Sequence, residues 1–157
     1  MAGSYRILLA DNHALFRQEV KKIIEPAKGL KVVGEVGDSA ALLQSLAQSH
    51  LDLVIVDISV PPLRAMETTR LIKQGHPEVK VLILLMDHEE EYLAQAIRVE
   101  ADGVLLKQYI ASELLKAIKA VRAGKLYLPP QFKRKKYYIA TVGESCSGVL
   151  LNQATSR

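Results

Sequence analysis

A single cysteine, Cys146, stands in 157 residues, which excludes an intrachain disulfide. The four histidines are too scattered to form a zinc-like cluster with it, so a reducing compartment is expected. No apolar run approaches the ~20 residues that a membrane-crossing helix needs. The opening, MAGSYRILLADNH, shows neither the basic region and long apolar stretch of a leader nor a cleavage-like site. The expected placement is therefore the cytoplasm, with no membrane association. There is no internal repeat. A general excess of one charge is missing as well. The formal net charge is +4, but residues 1–124 carry 15 Lys+Arg against 16 Asp+Glu while residues 125–157 carry 6 against 1. The basicity belongs to the end of the chain, and the first 124 residues do not read as a nucleic-acid-binding surface.

Those 124 residues alternate short apolar runs with amphipathic stretches, the pattern of strands feeding crossover helices in a parallel sheet. Strands are expected at Tyr5–Ala10, Lys31–Val36, Leu53–Asp57, Val81–Met86 and Gly103–Leu106. The runs LVIV at 53–56 and VLILL at 81–85 are continuously apolar, as central strands covered on both faces should be. Helices are expected at about 13–25, 39–49, 64–74, 89–99 and 111–123. In the last, Leu114, Leu115, Ile118 and Val121 form the apolar face, with Glu113, Lys116, Lys119 and Arg122 elsewhere. Ala111 or Ser112 should begin it, and Gly124 should stop it. This gives an α/β domain over 1–124, followed at 125–157 by a basic linker and tail, LYLPPQFKRKK and beyond, read as partly disordered.

In open parallel sheets functional groups gather beyond the C-terminal ends of the strands. Asp11 and Asn12 follow the first strand here, Asp57 ends the third, Met86 and Asp87 follow the fourth, and Lys107 follows the fifth. A carboxylate directly after four buried apolar residues needs a cation or a donor beside it, and Asp11 and Lys107 could provide that setting. Two acids and an amide make a hard-oxygen site suited to Mg²⁺. With Lys107, such a site could neutralise a phosphoryl group arriving at Asp57 as nucleophile. Taken singly the residues have plainer readings: Asp11 and Asn12 suit helix N-caps, Asp57 could merely end a strand, and Lys107 could be solvated. Their joint occurrence at separate strand ends favours the chemical reading.

The segments RILLADNHALFRQEVKKII, DLVIVDISVP, VLILLM, EEYLAQAIRVEADGVLLK and ELLKAIKAVRAGKLYLPP resemble the receiver domains of two-component response regulators, and most closely those joined to a LuxR-type helix-turn-helix. The resemblance spans about residues 4–130. It implies a flavodoxin-like, doubly wound five-stranded parallel sheet of order 2-1-3-4-5 with helices on both faces. Asp57 is by this resemblance the phosphoacceptor in a phosphorelay controlling transcription in a fuller-length form, and Lys107 contacts the phosphoryl group. The resemblance also implies that Asp11, Asn12, Asp57 and the Ser59 backbone carbonyl bind Mg²⁺. The donor is a sensor histidine kinase or small phosphodonor. No enzyme activity is implied beyond self-catalysed aspartyl phosphorylation and dephosphorylation. A homodimer is implied through the face of the fourth helix, fifth strand and fifth helix, around Tyr92, Arg98, Lys116, Lys119 and Arg122.

The sequence departs from the family pattern at several points. Asn12 replaces one member of the acidic pair, Leu85 stands where a Thr or Ser hydroxyl is usual, and Val104 stands where the fifth strand often carries an aromatic. The turn after Asp57 has Pro61-Pro62 in place of glycines. An alternative therefore stays open: a pseudo-receiver acting as a phosphorylation-independent interaction module. The 33 residues after Gly124 show no amphipathic recognition helix, so direct DNA binding is not expected. The run Lys133–Lys136 with Tyr137 and Tyr138 reads as a solvated charge run in preference to a weak nucleic-acid contact. A phosphatase is disfavoured because Ser59 stands where its second acid would be. A flavin-binding fold is disfavoured because Asp11–Ala14 lacks a phosphate-cradling loop.

Overall fold

The structure is a computed structural model and describes residues 3–86 and 90–132. Asp87, the Lys133–Lys136 run, Tyr137, Tyr138 and Cys146 lie outside the described residues. Five parallel strands, β1 (Tyr5–Ala10), β2 (Leu30–Val36), β3 (Leu53–Asp57), β4 (Lys80–Leu85) and β5 (Gly103–Leu106), form one sheet in the order β2-β1-β3-β4-β5. Between and after them run α1 (Ala14–Ile24), α2 (Ser39–Gln48), α3 (Ala65–Gly75), α4 (Glu90–Arg98) and α5 (Ile110–Arg122).

Strand alternation sorts the apolar residues into two layers. Val54, Val56, Ile83, Leu85, Val104 and Leu106 meet α2, α3 and α4 on one face, and Ile55, Leu82, Leu84 and Leu105 meet α1 and α5 on the other. Both faces are covered, which is why β3 is buried at every position and reads as an unbroken apolar run. The close approach of α5 to the sheet requires Gly103. A Cβ there would lie 2.9 Å from Leu82 Cδ1 and 3.0 Å from Val121 Cγ2.

The end of α5 is as the sequence predicts. Gly124 adopts φ +84, its N–H donates to the Val121 carbonyl, and that of Lys125 donates to the Ala120 carbonyl; this is the paired bonding of a glycine-terminated helix. The start differs. A 3-10 turn, Lys107–Tyr109, runs directly into α5 at Ile110 with no side-chain cap, so neither Ala111 nor Ser112 begins the helix. The apolar face is also displaced from the expected one: Leu115 is exposed and Glu113 is buried.

Gly124 does not end the packed body. Tyr127 bridges to Gly103 in parallel. Its N–H donates to the Asp102 carbonyl and its own carbonyl accepts from Val104 N–H, so β5 is not left with a bare edge here. Leu128 and Phe132 are buried in the same cluster as Leu85, Leu93, Val104 and Leu106. Buried Glu113 explains the path, since it accepts hydrogen bonds from Tyr127 Oη and Gln131 Nε2, each at 2.9 Å. Residues 125–132 read as linker because Pro129-Pro130 interrupts every periodicity; the register comes from contacts with β5 and α5, which are distant in sequence. Phe132→Ala is expected to cost about 3 kcal/mol, read as a lower urea midpoint with an unchanged slope. An unchanged midpoint would mean that this segment does not belong to the folded body.

Candidate functional site

Register places the charged strand ends together. Ala10 pairs with Val56, so Asp11 and Asp57, one residue further, leave neighbouring strands at the same level. Asp57 pairs with Leu84, and Leu84 with Leu105. Lys107 therefore starts two residues beyond that level and on the far side of β4. Strands are about 4.8 Å apart, and a long side chain is needed to cross that span. The lysine makes the crossing: its Nζ lies 2.7 Å from Asp11 Oδ2 and 2.9 Å from Asp57 Oδ1. These contacts are ionic and not well-directed hydrogen bonds.

The three groups are nearly sealed, with side-chain exposures of 4% for Asp11, 1% for Asp57 and 10% for Lys107. One ammonium thus faces two buried carboxylates, an arrangement with an unmatched negative charge. Each carboxylate has a second support. Asp57 Oδ2 accepts from the Ser59 hydroxyl at 2.6 Å and the Ser59 N–H at 3.1 Å. Asp11 Oδ1 accepts from His13 N–H at 2.8 Å and lies 3.2 Å from His13 Nδ1. Asp11 therefore turns the chain just before α1, while His13 occupies the N-cap position without a side-chain bond to the helix backbone. The Arg17 guanidinium contacts the Asp11 carbonyl and, with Lys21, pairs with Glu35 of β2. The hydrogen bonds from Lys21 and then Arg17 hold the Glu35 carboxyl below the usual carboxylate range.

Sequence reasoning missed Phe16. Its ring lies 4.2 Å from Lys107 Nζ, a cation–π contact that forms a wall beside the ammonium. One of only two phenylalanines in the chain, it lies in the first turn of α1, and the sequence carries no signal that links it to Lys107. Ser59 was expected through its carbonyl; its N–H and hydroxyl are what meet Asp57. Asn12 is exposed at the rim and does not join the carboxylate–lysine contacts.

The loop after Asp57 is fixed from the side. Buried Ser39, at the start of α2, donates its N–H to the Pro61 carbonyl at 2.8 Å and accepts from Leu63 N–H through its hydroxyl at 3.1 Å. The Pro61-Pro62 peptide is cis. Leu85 and Val104 are both fully buried in the layer of α2, α3 and α4, and Leu85 brings no polar atom to the site. Of the expected dimer face, Tyr92 is half-buried, and Arg98, Lys116, Lys119 and Arg122 are exposed. The Arg122 guanidinium stacks over the Tyr5 ring, 4.6 Å from its centroid.

No group of three or more His, Cys, Asp and Glu side chains converges among the described residues. Two buried carboxylates, with the Asn12 amide and the Ser59 carbonyl close by in sequence, are a donor set of hard oxygens alone. It fits a magnesium ion that keeps several waters and takes one or two carboxylates, and it does not fit zinc. The surplus negative charge of the pair is consistent with such a cation. Lys107→Met, which leaves both carboxylates buried without their ammonium, is expected to lower the unfolding free energy by about 3 kcal/mol at neutral pH. A urea curve matching the parent would show that solvent, not Lys107, balances the pair.

Comparison with known proteins agrees with this geometry. The family model described as the response regulator receiver domain matches residues 7–119. The transcriptional regulatory protein DegU of Brevibacillus brevis is 32% identical over 126 residues, covering 80% of this chain and 53% of DegU; the chain thus spans about half the length of that relative. The isolated receiver domain of RcsB from Salmonella enterica serovar Typhimurium, solved with the phosphomimetic BeF3-, superposes with a TM-score of 0.76 at 27% identity, covering 82% of this chain and 95% of that one. A LuxR-family response regulator from Aurantimonas sp. SI85-9A1 gives 0.77 at 29% identity, covering 82% and 91%. With its order β2-β1-β3-β4-β5 and its carboxylates and lysine at the strand ends, this chain belongs to the response regulator receiver domain family of two-component signalling.

Proposed function

We propose that Asp57 accepts a phosphoryl group from a histidine kinase or a small phosphodonor, and that Lys107 is the group that receives its charge. The observation that carries this reading is the shared ammonium, held by two nearly sealed carboxylates at the ends of β1 and β3. A carboxylate oxygen of Asp57 forms the new bond to phosphorus as the bond from phosphorus to the donor's leaving atom breaks, and the leaving group keeps the electron pair. Ser59 fixes the carboxylate through Oδ2, so that Lys107 can turn from Asp57 Oδ1 to the phosphoryl oxygens without the acceptor rotating. Asp11, Asp57, the Asn12 amide oxygen and the Ser59 carbonyl would hold Mg²⁺, which when bound supplies positive charge to the phosphoryl oxygens. Asn12 in place of an acid weakens that site by one charge. Catalysis is confined to self-phosphorylation and dephosphorylation of Asp57.

No helix among the described residues is long and apolar enough to cross a membrane, and we place the protein in the cytoplasm. The output is contact with a second copy through the face of α4, β5 and α5, where Arg98, Lys116 and Lys119 are exposed. The Tyr127 bridge to Gly103 occupies β5, so that contact uses the helices in preference to strand addition. RcsB has been solved as two dimers bound to two parallel DNAs; in a fuller-length form, control of transcription is the corresponding output here. Fully buried Leu85 favours a second reading, in which the receiver lacks the hydroxyl that follows phosphorylation and works as a constitutive interaction module. Intact-protein mass after incubation with Mg²⁺ and a small phosphodonor separates the two. The phosphoacceptor reading expects a gain of one phosphoryl group that Asp57→Ala lacks. No gain in folded protein would overturn it in favour of the interaction module.

A further inference from the structure

We infer that Glu113 is a positioning residue for Lys107, acting through the start of α5 and held in place by Tyr127 and Gln131. The inference rests on the reading of Lys107 as the phosphoryl contact. Glu113 is 7% exposed, and among the described residues the donors to its carboxylate are both neutral, Tyr127 Oη and Gln131 Nε2. A buried carboxylate met by neutral donors is a costly way to join two segments. Leu128 and Phe132 anchor 125–132 in the layer of β4, β5 and α4, whereas the apolar face of α5 lies in the other layer, so those apolar contacts do not orient the helix. The polar clasp adds direction: it fixes the first turn of α5 in one rotation.

Among the described residues that turn has no other strong polar anchor at its start. Tyr109 makes no side-chain cap bond, and the Ser112 hydroxyl reaches back only to the Tyr109 carbonyl at 3.3 Å. The 3-10 turn that begins with Lys107 is bonded into the helix through Ile110 N–H and the Lys107 carbonyl. Lys107 and Glu113 thus share one continuous helical piece without a glycine or proline between them. The clasp also closes a ring. Glu113 holds Tyr127, Tyr127 is bonded to Asp102 and Val104, and the β5 that follows Asp102 leads straight into Lys107. Lys107 reaches its carboxylates from beyond β4, so a small rotation of the turn carries the ammonium away from them. Coupling of this kind is reciprocal: a ligand that draws on Lys107 must also alter the protection of the clasp.

Tyr127→Phe removes one donor and keeps the ring, whereas Leu128→Ala weakens the same segment through the core alone. Each is compared with the parent, as the full chain, by amide hydrogen exchange and by the apparent Kd for beryllium trifluoride with Mg²⁺. For Tyr127→Phe, exchange at 107–111 is expected to accelerate, and Kd to rise, by about threefold to tenfold, the worth of one hydrogen bond. Leu128→Ala is expected to lower the urea midpoint while leaving Kd unchanged. Positioning is overturned if Tyr127→Phe leaves both Kd and the exchange at 107–111 at parent values, or if Leu128→Ala raises Kd as much as Tyr127→Phe does. Should the parent itself not bind the anion, the phosphoacceptor reading is what fails, and the exchange rates at 107–111 then decide the positioning role alone.

Discussion

One ammonium shared between two buried carboxylates is the constraint on which the rest of this structure depends. Lys107 touches Asp11 and Asp57 at once, and that requires three strand ends to meet at one height. The parallel register delivers this, with Ala10 beside Val56 and Asp57 beside Leu84. A one-residue slip in either pairing would send a charged side chain into the opposite apolar layer, where nothing could match it. The two hydrophobic layers therefore do more than supply cohesion, because their alternation aims the charges.

The surrounding residues serve the same constraint. Ser59 and His13 hold the carboxylate oxygens that Lys107 does not. Phe16 walls the ammonium on the α1 side, and Ser39 steadies the loop that follows Asp57. Removing a buried charge from water is costly, and two carboxylates with one cation are less stable than an apolar cluster of similar volume could be. Such an arrangement suits the proposed chemistry better than it suits cohesion. Leu85 and Val104 mark where this chain departs: both complete the packing of the opposite layer, and neither contributes a polar group to the site. On the proposed reading the acceptor half of a receiver is kept, while the positions that usually relay its state are filled with aliphatic side chains.

Much of this was legible in the sequence because it depends on local pattern. Continuous apolar runs mark β3 and β4, and β1, β3 and β5 lie at their expected bounds. Gly124 stops α5 with the conformation that glycine alone adopts readily. The convergence of Asp11, Asp57 and Lys107 was legible too, since strand ends in a parallel sheet share one edge. What escaped was set by contacts across long sequence separations. Glu113 looked like a surface residue because a charge on a helix usually faces water, and its burial follows from Tyr127 and Gln131 folding back over it. The same return path placed 125–132 in the body in place of a linker. Phe16 was hidden because nothing in the spacing of α1 announces the lysine of a strand nearly a hundred residues later.

The most direct test of the central claim is the unfolding free energy of Asp57→Asn against the parent in urea at neutral pH. If the carboxylate pair is held for chemistry at some cost to the fold, removing one negative charge beside Asp11 leaves stability equal or raises it by about 1 kcal/mol. A loss of several kcal/mol would contradict the account, because Asp57 would then be a structural partner that the fold requires and not an acceptor that the fold tolerates.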